Sequence, residues 1–382
     1  MKKEKQIEII EKVLAELKAS EKHAVEGITA TIDTDRYRNP ERFHEEKETL
    51  FKRLPIVIGA ASSLEKAGDY FLYDHLEVPL IAVKGNTGQI RVFLNVCRHR
   101  AVKLVTEPKG NIRRTIVCPY HAWSYDLDGC LQSVFHPVGF SGVDANSHSL
   151  LEVDSWVRFG MLFVVPDHSI KGQIEIDTWL DEVYSLTEGF DFGSLIAHLH
   201  SEDTLPFNWK LLVDGALEGY HFKIAHSQTI GPYFLDNKSI PLPTKTHSSI
   251  VFPKKSLVKL QQQPKEKWEL REVANVLIHV FPNVVLLIEP DHIMVVTFCP
   301  RSPTETHYHA FMLLPKSVAN EKEASYWSRN EKIFWDAIHE DNKMAALQQR
   351  SFSGQSDLSI TVGGFEPLLL QFEQLVDRLL NK

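Results

Sequence analysis

Cysteine is scarce in this chain: 382 residues contain four, Cys97, Cys118, Cys130 and Cys299. So few in so long a chain do not make a disulfide framework, and a reduced, cytoplasmic protein is expected. Positive charge is also short. Lys and Arg number 42 against 50 Asp and Glu, a formal net charge of −8, and that balance argues against a nucleic-acid partner. No apolar run reaches the roughly 20 residues needed to span a bilayer, so no membrane partner is expected. The opening MKKEKQIEIIEKVLAELKAS lacks the unbroken apolar centre of a signal peptide. It reads as an amphipathic helix with Ile7, Ile10, Val13, Leu14 and Leu17 on one face. Internal repeats and low-complexity segments are missing too. What remains is a composition ordinary for a globular protein, 43% hydrophobic and 24% charged, on a chain long enough for two domains or one large one.

The pattern along the chain divides it. Residues 1–45 read as a helix and a polar linker, with Pro40 as a breaker. From Ile56 the texture is short strands and turns, such as FLYDHLEVPLIAVKG and IRVFLNVC, joined by a hairpin turn at Gly85-Asn86-Thr87-Gly88. This continues to about Val165. Helical periodicity returns over 178–188 and 208–226, and long antiparallel strands fill 245–315. A helix over 320–349 and a last amphipathic helix, PLLLQFEQLVDRLL, close the chain. The expectation is an N-terminal helical segment (1–45), a small all-β domain (46–165) and an α+β domain with an antiparallel sheet (166–382).

Two of the cysteines belong to a matched pair of motifs. Cys97-x-His99 is followed, after eighteen residues, by Cys118-x-x-His121. Two thiolates and two imidazoles are what a Rieske [2Fe–2S] cluster requires. The same four ligands also satisfy a tetrahedral zinc site, although zinc motifs usually pair Cys with Cys and His with His. The stretches NVCRHRAV and CPYHAWSYDLDG resemble the cluster-binding loops of the Rieske domain in ring-hydroxylating oxygenases. That family often has Gly where this chain has Ala101 and Ala122.

A second constellation lies in FNWKLLVDGALEGYHFKIAHSQ. The segment is apolar nearly all round, through Trp209, Leu211, Leu212, Val213, Ala216, Leu217, Tyr220, Phe222 and Ile224, and a buried helix is expected. On a regular helix His221 and His226 stand about 140° apart, so the helix has to distort or end near Ile224 for both to reach one metal. Two ordinary hydrogen-bonded histidines are the alternative. Asn208-Trp209-Lys210, Glu218-x-Tyr220-His221 and His226 resemble the mononuclear-iron motif of the same family. Asp214-Gly215 is the departure, where the family commonly has an acid followed by Asn.

The resemblance implies a third ligand, a carboxylate from Glu-Asp-x₇-Gln-Arg, which here is Glu340-Asp341 with Gln349-Arg350. The helical wheel separates the two acids. Asp341 falls on an apolar stripe of Trp327, Phe334, Ile338 and Ala345, whereas Glu340 lies about 100° away and reads as a solvated charge.

The resemblance covers roughly residues 40–382. It implies an N-terminal Rieske domain, a helix-grip-like catalytic domain, a [2Fe–2S] cluster and Fe(II). The activity expected is O₂-dependent hydroxylation, dihydroxylation or oxidative demethylation of a small organic substrate, either an aromatic ring or a quaternary ammonium compound. The chain has no nucleotide-binding fingerprint, so electrons are expected from a separate flavin-dependent reductase or ferredoxin. The family's head-to-tail homotrimer further implies that Glu218 joins His221 to His121 of a neighbouring subunit. A Rieske electron-transfer protein with an appended ligand-binding domain, and a zinc-stabilised carrier of hydrophobic ligands, are the rivals. Tyr233, Phe234, Phe281 and Trp335 are the candidate pocket residues.

Overall fold

The computed structural model describes residues 1–18, 29–188, 195–319, 322–352, 354 and 358–381. The chain forms two units: Leu50–Ile176, and Met1–Thr49 together with Asp177–Lys382. None of the described helices is long and apolar enough to cross a membrane.

The smaller unit is built from short strands rich in β-branched and aromatic residues, which suit a pleated, half-buried surface. Seven strands form one sheet, in the spatial order Ile56–Ala60, Met161–Val165, Glu152–Arg158, Ile90–Leu94, Leu80–Lys84, Asp69–Tyr73 and Lys109–Asn111. The expected hairpin turn is present: Gly85 N–H donates to the Gln89 carbonyl at 2.8 Å. Gly88 takes φ +84° there, a conformation that glycine adopts without steric cost. A three-stranded sheet of Thr115–Val117, Ser124–Asp126 and Leu131–Ser133 lies beside it in sequence. The core of the unit joins Tyr70, Ile81, Val83, Phe93, Trp123 and Tyr125 to Cys97 and Cys118. The segment 166–176 stays with this unit, because Asp167 N–H donates to the Lys52 carbonyl and Gly172 N–H to Asp154.

The larger unit is organised by a seven-stranded antiparallel sheet. Its spatial order is Leu195–Leu205, Glu305–Pro315, Ile293–Ser302, Val284–Ile288, Ala274–Val280, Ser248–Pro253 and Ile240–Leu242. Ala274–Val280 is buried at every position, Asn275 and His279 included, so both faces of the sheet are covered there. Met294, Met312 and Leu314 on one face pack against Trp327 of the long helix Ala324–Phe352. On that face too, Phe298 stacks on Trp209, and Trp209 meets Phe372 of the closing helix Pro367–Leu379 edge-on. The sheet therefore grips three helices: Trp209–Ala216, which leads into the second constellation, Ala324–Phe352, which carries Asp341, and Pro367–Leu379.

The N-terminal helix Lys3–Lys18 departs from the expected face. Ile9, Ile10, Val13 and Leu14 are buried, while Leu17 is 37% exposed. The helix docks on the chain near Leu270, whose N–H donates to Gln6 at 3.1 Å. This contact turns Ile9 inward and leaves the last turn facing solvent.

Candidate metal centres

The two cluster motifs fold into matching loops. Cys97 N–H donates to the Val102 carbonyl and Cys118 N–H to the Trp123 carbonyl, each at 2.8 Å. In return the Ala101 and Ala122 amides bond back to the carbonyls of Cys97 and Cys118. Closing each loop puts Ala101 at φ +54° and Ala122 at φ +55°. Left-handed backbone costs an L-residue about 1–2 kcal/mol, which is why glycine suits these two places.

The loops bring the His99 and His121 rings to 4.6 Å between centroids, and His99 stacks on Trp123 at 5.0 Å. His99 Nδ1 is buried and has no hydrogen-bond partner among the described residues. Burial pushes the Cys97 thiol up, and the neighbouring Cys118 adds to the effect. Tyr125 steadies this loop: its hydroxyl accepts from Arg98 N–H at 3.0 Å and lies 3.4 Å from Cys97 Sγ. The orphaned buried imidazole nitrogen is unfavourable as it stands, and the two thiols beside it complete a donor set that a bound cluster would occupy. The donor set fits. Cys130 is exposed and Cys299 lies on a strand of the larger unit, so neither belongs to this centre.

At the second constellation the expected continuous helix over 208–226 is absent. The helix Trp209–Ala216 stops, and a second one, Phe222–Ala225, begins after a break. Glu218 sits in that break. Its carboxylate accepts the backbone N–H groups of Tyr220 and His221, replacing the bonds a helix would make. Gly219 permits close passage, since a Cβ there would lie 3.2 Å from the Phe252 ring. The break comes earlier than Ile224 and exposes part of the segment: Tyr220 is 56% and Ile224 79% exposed, against the burial expected for both.

The break solves the angular problem. His221 and His226 flank the short helix as its two caps, and their Nε2 atoms approach to 3.1 Å. Asp341 Oδ1 from the long helix lies 3.4 Å from His221 Nε2 and 3.0 Å from His226 Nε2. Among the described residues, these three form the one group of His, Cys, Asp and Glu whose ligand atoms converge as a metal site requires. Two imidazoles and one carboxylate on one side of a point are the donors of a non-heme iron(II) facial triad.

Both ring nitrogens that face away are taken. His221 Nδ1–H donates to Glu218 Oε1. His226 Nδ1–H donates to Glu340 Oε2 at 2.7 Å, and the Thr229 hydroxyl donates to the same oxygen at 2.6 Å. Glu340 is therefore no solvated charge; the wheel gave its direction but not what faces it. Carboxylates behind the ligating histidines fix their tautomers and raise their basicity. Burial opposes charge on His221, yet Asp341 and Glu218 outweigh it and push this imidazole up to about 10. Burial likewise opposes charge on Asp341, but the two histidines hold it below the usual carboxylate range. A pocket that draws protons onto both histidines suits a divalent cation.

The remaining motif residues lash the helices together. Asn208 caps the helix Trp209–Ala216 through its side chain and donates to the Pro303 carbonyl at 2.8 Å. Its own N–H donates to Gln349 Oε1 at 2.8 Å, which ties the His-bearing segment to the Asp-bearing helix. Lys210 is wholly buried against Glu46, with Nζ at 2.7 and 2.8 Å from the two carboxylate oxygens. Asp214 is buried and accepts from the Tyr37 hydroxyl at 2.7 Å. Burial, reinforced by Glu373, pushes its carboxyl well above the usual range.

A cavity of about 330 Å³ opens beside the triad, within the size range of small-molecule sites. The sheet forms one wall, through Leu277, Leu287 and Met294, and the long helix another, through Phe334 and Ile338. Of the four candidate pocket aromatics, only Phe234 lines it. Tyr233 is 61% exposed, Phe281 is core, and Trp335 packs beside Tyr308 and His339. The aromatic lining consists of Phe207, Phe222, Phe234, Phe252 and Phe334.

Residues 192–382 match the family "Ring hydroxylating alpha subunit (catalytic domain)", and residues 55–139 match "Rieske [2Fe-2S] domain". The glycine betaine monooxygenase oxygenase subunit of Chromohalobacter salexigens is 29% identical over 62% of this chain and 51% of its own length. The carnitine monooxygenase oxygenase subunit of Escherichia coli is 29% identical over 51% of this chain and 52% of its own. The match thus spans about half the length of these relatives. In fold the chain is similar to the quaternary ammonium Rieske monooxygenase CntA, with a TM-score of 0.78 at 19% identity, covering 93% of this chain and 96% of that one. It is also similar to naphthalene 1,2-dioxygenase from Rhodococcus sp., with a TM-score of 0.75 at 16% identity, covering 98% of each chain. With both of its domains accounted for in that order, the chain belongs to the ring-hydroxylating oxygenase alpha-subunit family.

Proposed function

We propose that this chain is the oxygenase component of a cytoplasmic, multicomponent Rieske system. In this reading His221, His226 and Asp341 hold iron(II), and Cys97, His99, Cys118 and His121 hold the [2Fe–2S] cluster. The observation that carries it is the convergence of the three donors beside an apolar cavity. Bound there, iron(II) supplies an open coordination face for O₂, and the cluster supplies electrons singly. The protein's own part is positional. Glu218 and Glu340 fix the imidazoles, Gln349 ties the two ligand-bearing segments, and the phenylalanine lining keeps water from the reacting substrate.

The reaction is hydroxylation, dihydroxylation or oxidative demethylation of a small organic substrate, aromatic or quaternary ammonium. Both named relatives act on quaternary ammonium compounds, and phenylalanine faces can hold a cation. A flavin-dependent reductase or ferredoxin supplies the electrons. The Rieske electron-transfer reading needs only the first centre and leaves the triad and its two supporting carboxylates without a role. Head-to-tail assembly into a homotrimer is part of the proposal. Its support is Glu218, already bonded to His221, flanked by the exposed Tyr220 and Ile224.

The test is O₂ uptake coupled to substrate loss, with purified chain, reductase and NADH, across quaternary amines and aromatic compounds. Coupled turnover lost in Asp341→Ala supports the proposal. Absence of turnover in an iron-loaded protein, with every compound and every reductase supplied, counts against it.

A further inference from the structure

Three histidines line the cavity among the described residues: His221, His226 and His292. All three are built alike, with Nδ1 held by a carboxylate: Glu218 for His221, Glu340 for His226, and Asp291 for His292 at 2.8 Å. Two of them turn Nε2 to Asp341 and form the triad. His292 lies outside that group, so the same construction there acts on something other than the metal.

The chain fixes this third ring from several sides. His292 directly precedes the strand Ile293–Ser302, whose Met294 and Val296 also line the cavity. Glu289 N–H donates to the His292 carbonyl at 3.0 Å and closes the turn into that strand. Trp327 of the long helix meets the imidazole edge-on at 5.8 Å. Asp291 is anchored in its turn by the Lys322 ammonium and by the Tyr326 hydroxyl, the latter at 2.7 Å. Burial opposes charge on Asp291, yet the bonds from His292, Lys322 and Tyr326 hold its carboxyl well below the usual range. An ionised carboxylate only accepts, so His292 Nδ1 carries a hydrogen, and in the neutral imidazole Nε2 is then the acceptor.

Asp291 is not part of the cavity lining, so the bonded side of the ring is turned from the cavity. Nε2 lies across the ring. It has no partner among the described residues, yet it is not a sealed atom as His99 Nδ1 is. On a residue only 3% exposed, that leaves an acceptor within reach of what fills the cavity. A hydrogen bond made in such an apolar chamber is stronger than one made in water.

Resting on the proposed function above, we infer that His292 Nε2 is a substrate-binding atom: it accepts a hydrogen bond from an O–H or N–H group of the substrate and so selects among molecules of one size. Asp291 is its positioning residue, holding the tautomer that presents a lone pair to the cavity. Molecules without a donor still fit but lose the contact.

The experiment measures binding to the resting holoenzyme by calorimetry, without reductase, so that no turnover occurs. Two pairs of probes differ in one donor each: choline against propyltrimethylammonium, where methyl replaces the hydroxyl, and indole against indene, which lacks the N–H. The expected result, in either pair, is about tenfold tighter binding of the donor-bearing member, the effect of one buried hydrogen bond. In His292→Leu the two members bind alike. Asp291→Asn no longer fixes the tautomer, because an amide both donates and accepts. It narrows the preference while the donor-free member keeps its affinity, a change that a general loosening of the site does not produce. Wild-type protein that shows no preference in either pair, or binds none of the four probes, overturns the inference whether or not the variants fold. So does a preference that survives in His292→Leu. Iron analysis of the same sample separates the two readings. Loss of the preference with full iron leaves the oxygenase proposal standing, whereas a chain that takes up no mononuclear iron removes both.

Discussion

Glu340 and His226 form a bonded pair across two elements, with His226 Nδ1 2.7 Å from Glu340 Oε2. The contact places a second carboxylate behind the triad and sets adjacent acids to different partners: Asp341 Oδ1 approaches the Nε2 atoms of both histidines, and Glu340 bonds the far nitrogen of His226. Removing such a support typically weakens a metal site about 10–100-fold. Glu340→Ala is therefore expected to lower mononuclear iron affinity by about that factor, while Asp341→Ala abolishes occupancy and turnover. Iron retained after timed chelator dialysis checks both, and equal retention in wild type and Asp341→Ala moves the ligand role to another acid.

Ala101 and Ala122 give a prediction of unusual sign. At φ +54° and +55°, replacement by glycine relieves backbone strain that exceeds glycine's usual entropic cost. Ala101→Gly and Ala122→Gly are each expected to stabilise the holoprotein by roughly 1 kcal/mol. Denaturant midpoints measure this; destabilisation by both would show that the alanine methyl groups contribute packing that outweighs the strain.

Asp214 links stability to pH. Burial and then Glu373 raise its carboxyl well above the usual range. Between the unfolded and folded values the unfolded chain has released the proton and the folded chain still holds it, so rising pH favours unfolding. Asp214 therefore costs stability at neutral pH. Asp214→Asn keeps an acceptor for the Tyr37 hydroxyl and removes the titration. Its gain in thermal midpoint is expected to be larger at about pH 8 than at about pH 5. A gain independent of pH contradicts the assignment.

For Glu218 the prediction concerns electrons. Glu218→Gln is expected to retain both metal centres and to slow cluster reoxidation severely in the presence of substrate and O₂. Rapid single-turnover kinetics on the reduced variant reads this directly; a wild-type rate removes the bridging role.

Much of the candidate site was legible because its candidate donors come in local, spaced motifs: Cys97 with His99, Cys118 with His121, and the pair His221 and His226. The strand texture around Gly85–Gly88 was equally plain, since turn chemistry is local. Two things were not. The break after Ala216 depends on Glu218 bonding the amides that follow it, a competition that periodicity does not register. Glu340 was misread because a wheel reports direction about one axis and not the His226 ring opposite. Asp341 was separable from Glu340 because an acid on a buried stripe needs a partner.

The most direct test of the account is the metal content of the chain purified from an iron-replete host, read with acid-labile sulfide and the EPR spectrum of the dithionite-reduced protein. Two centres predict about three irons and two sulfides per chain and a Rieske signal, the signal lost in His99→Ala while one iron remains. About two irons, with Asp341→Ala unchanged, would reduce the chain to an electron carrier. Stoichiometric zinc in a colourless protein would contradict the account altogether.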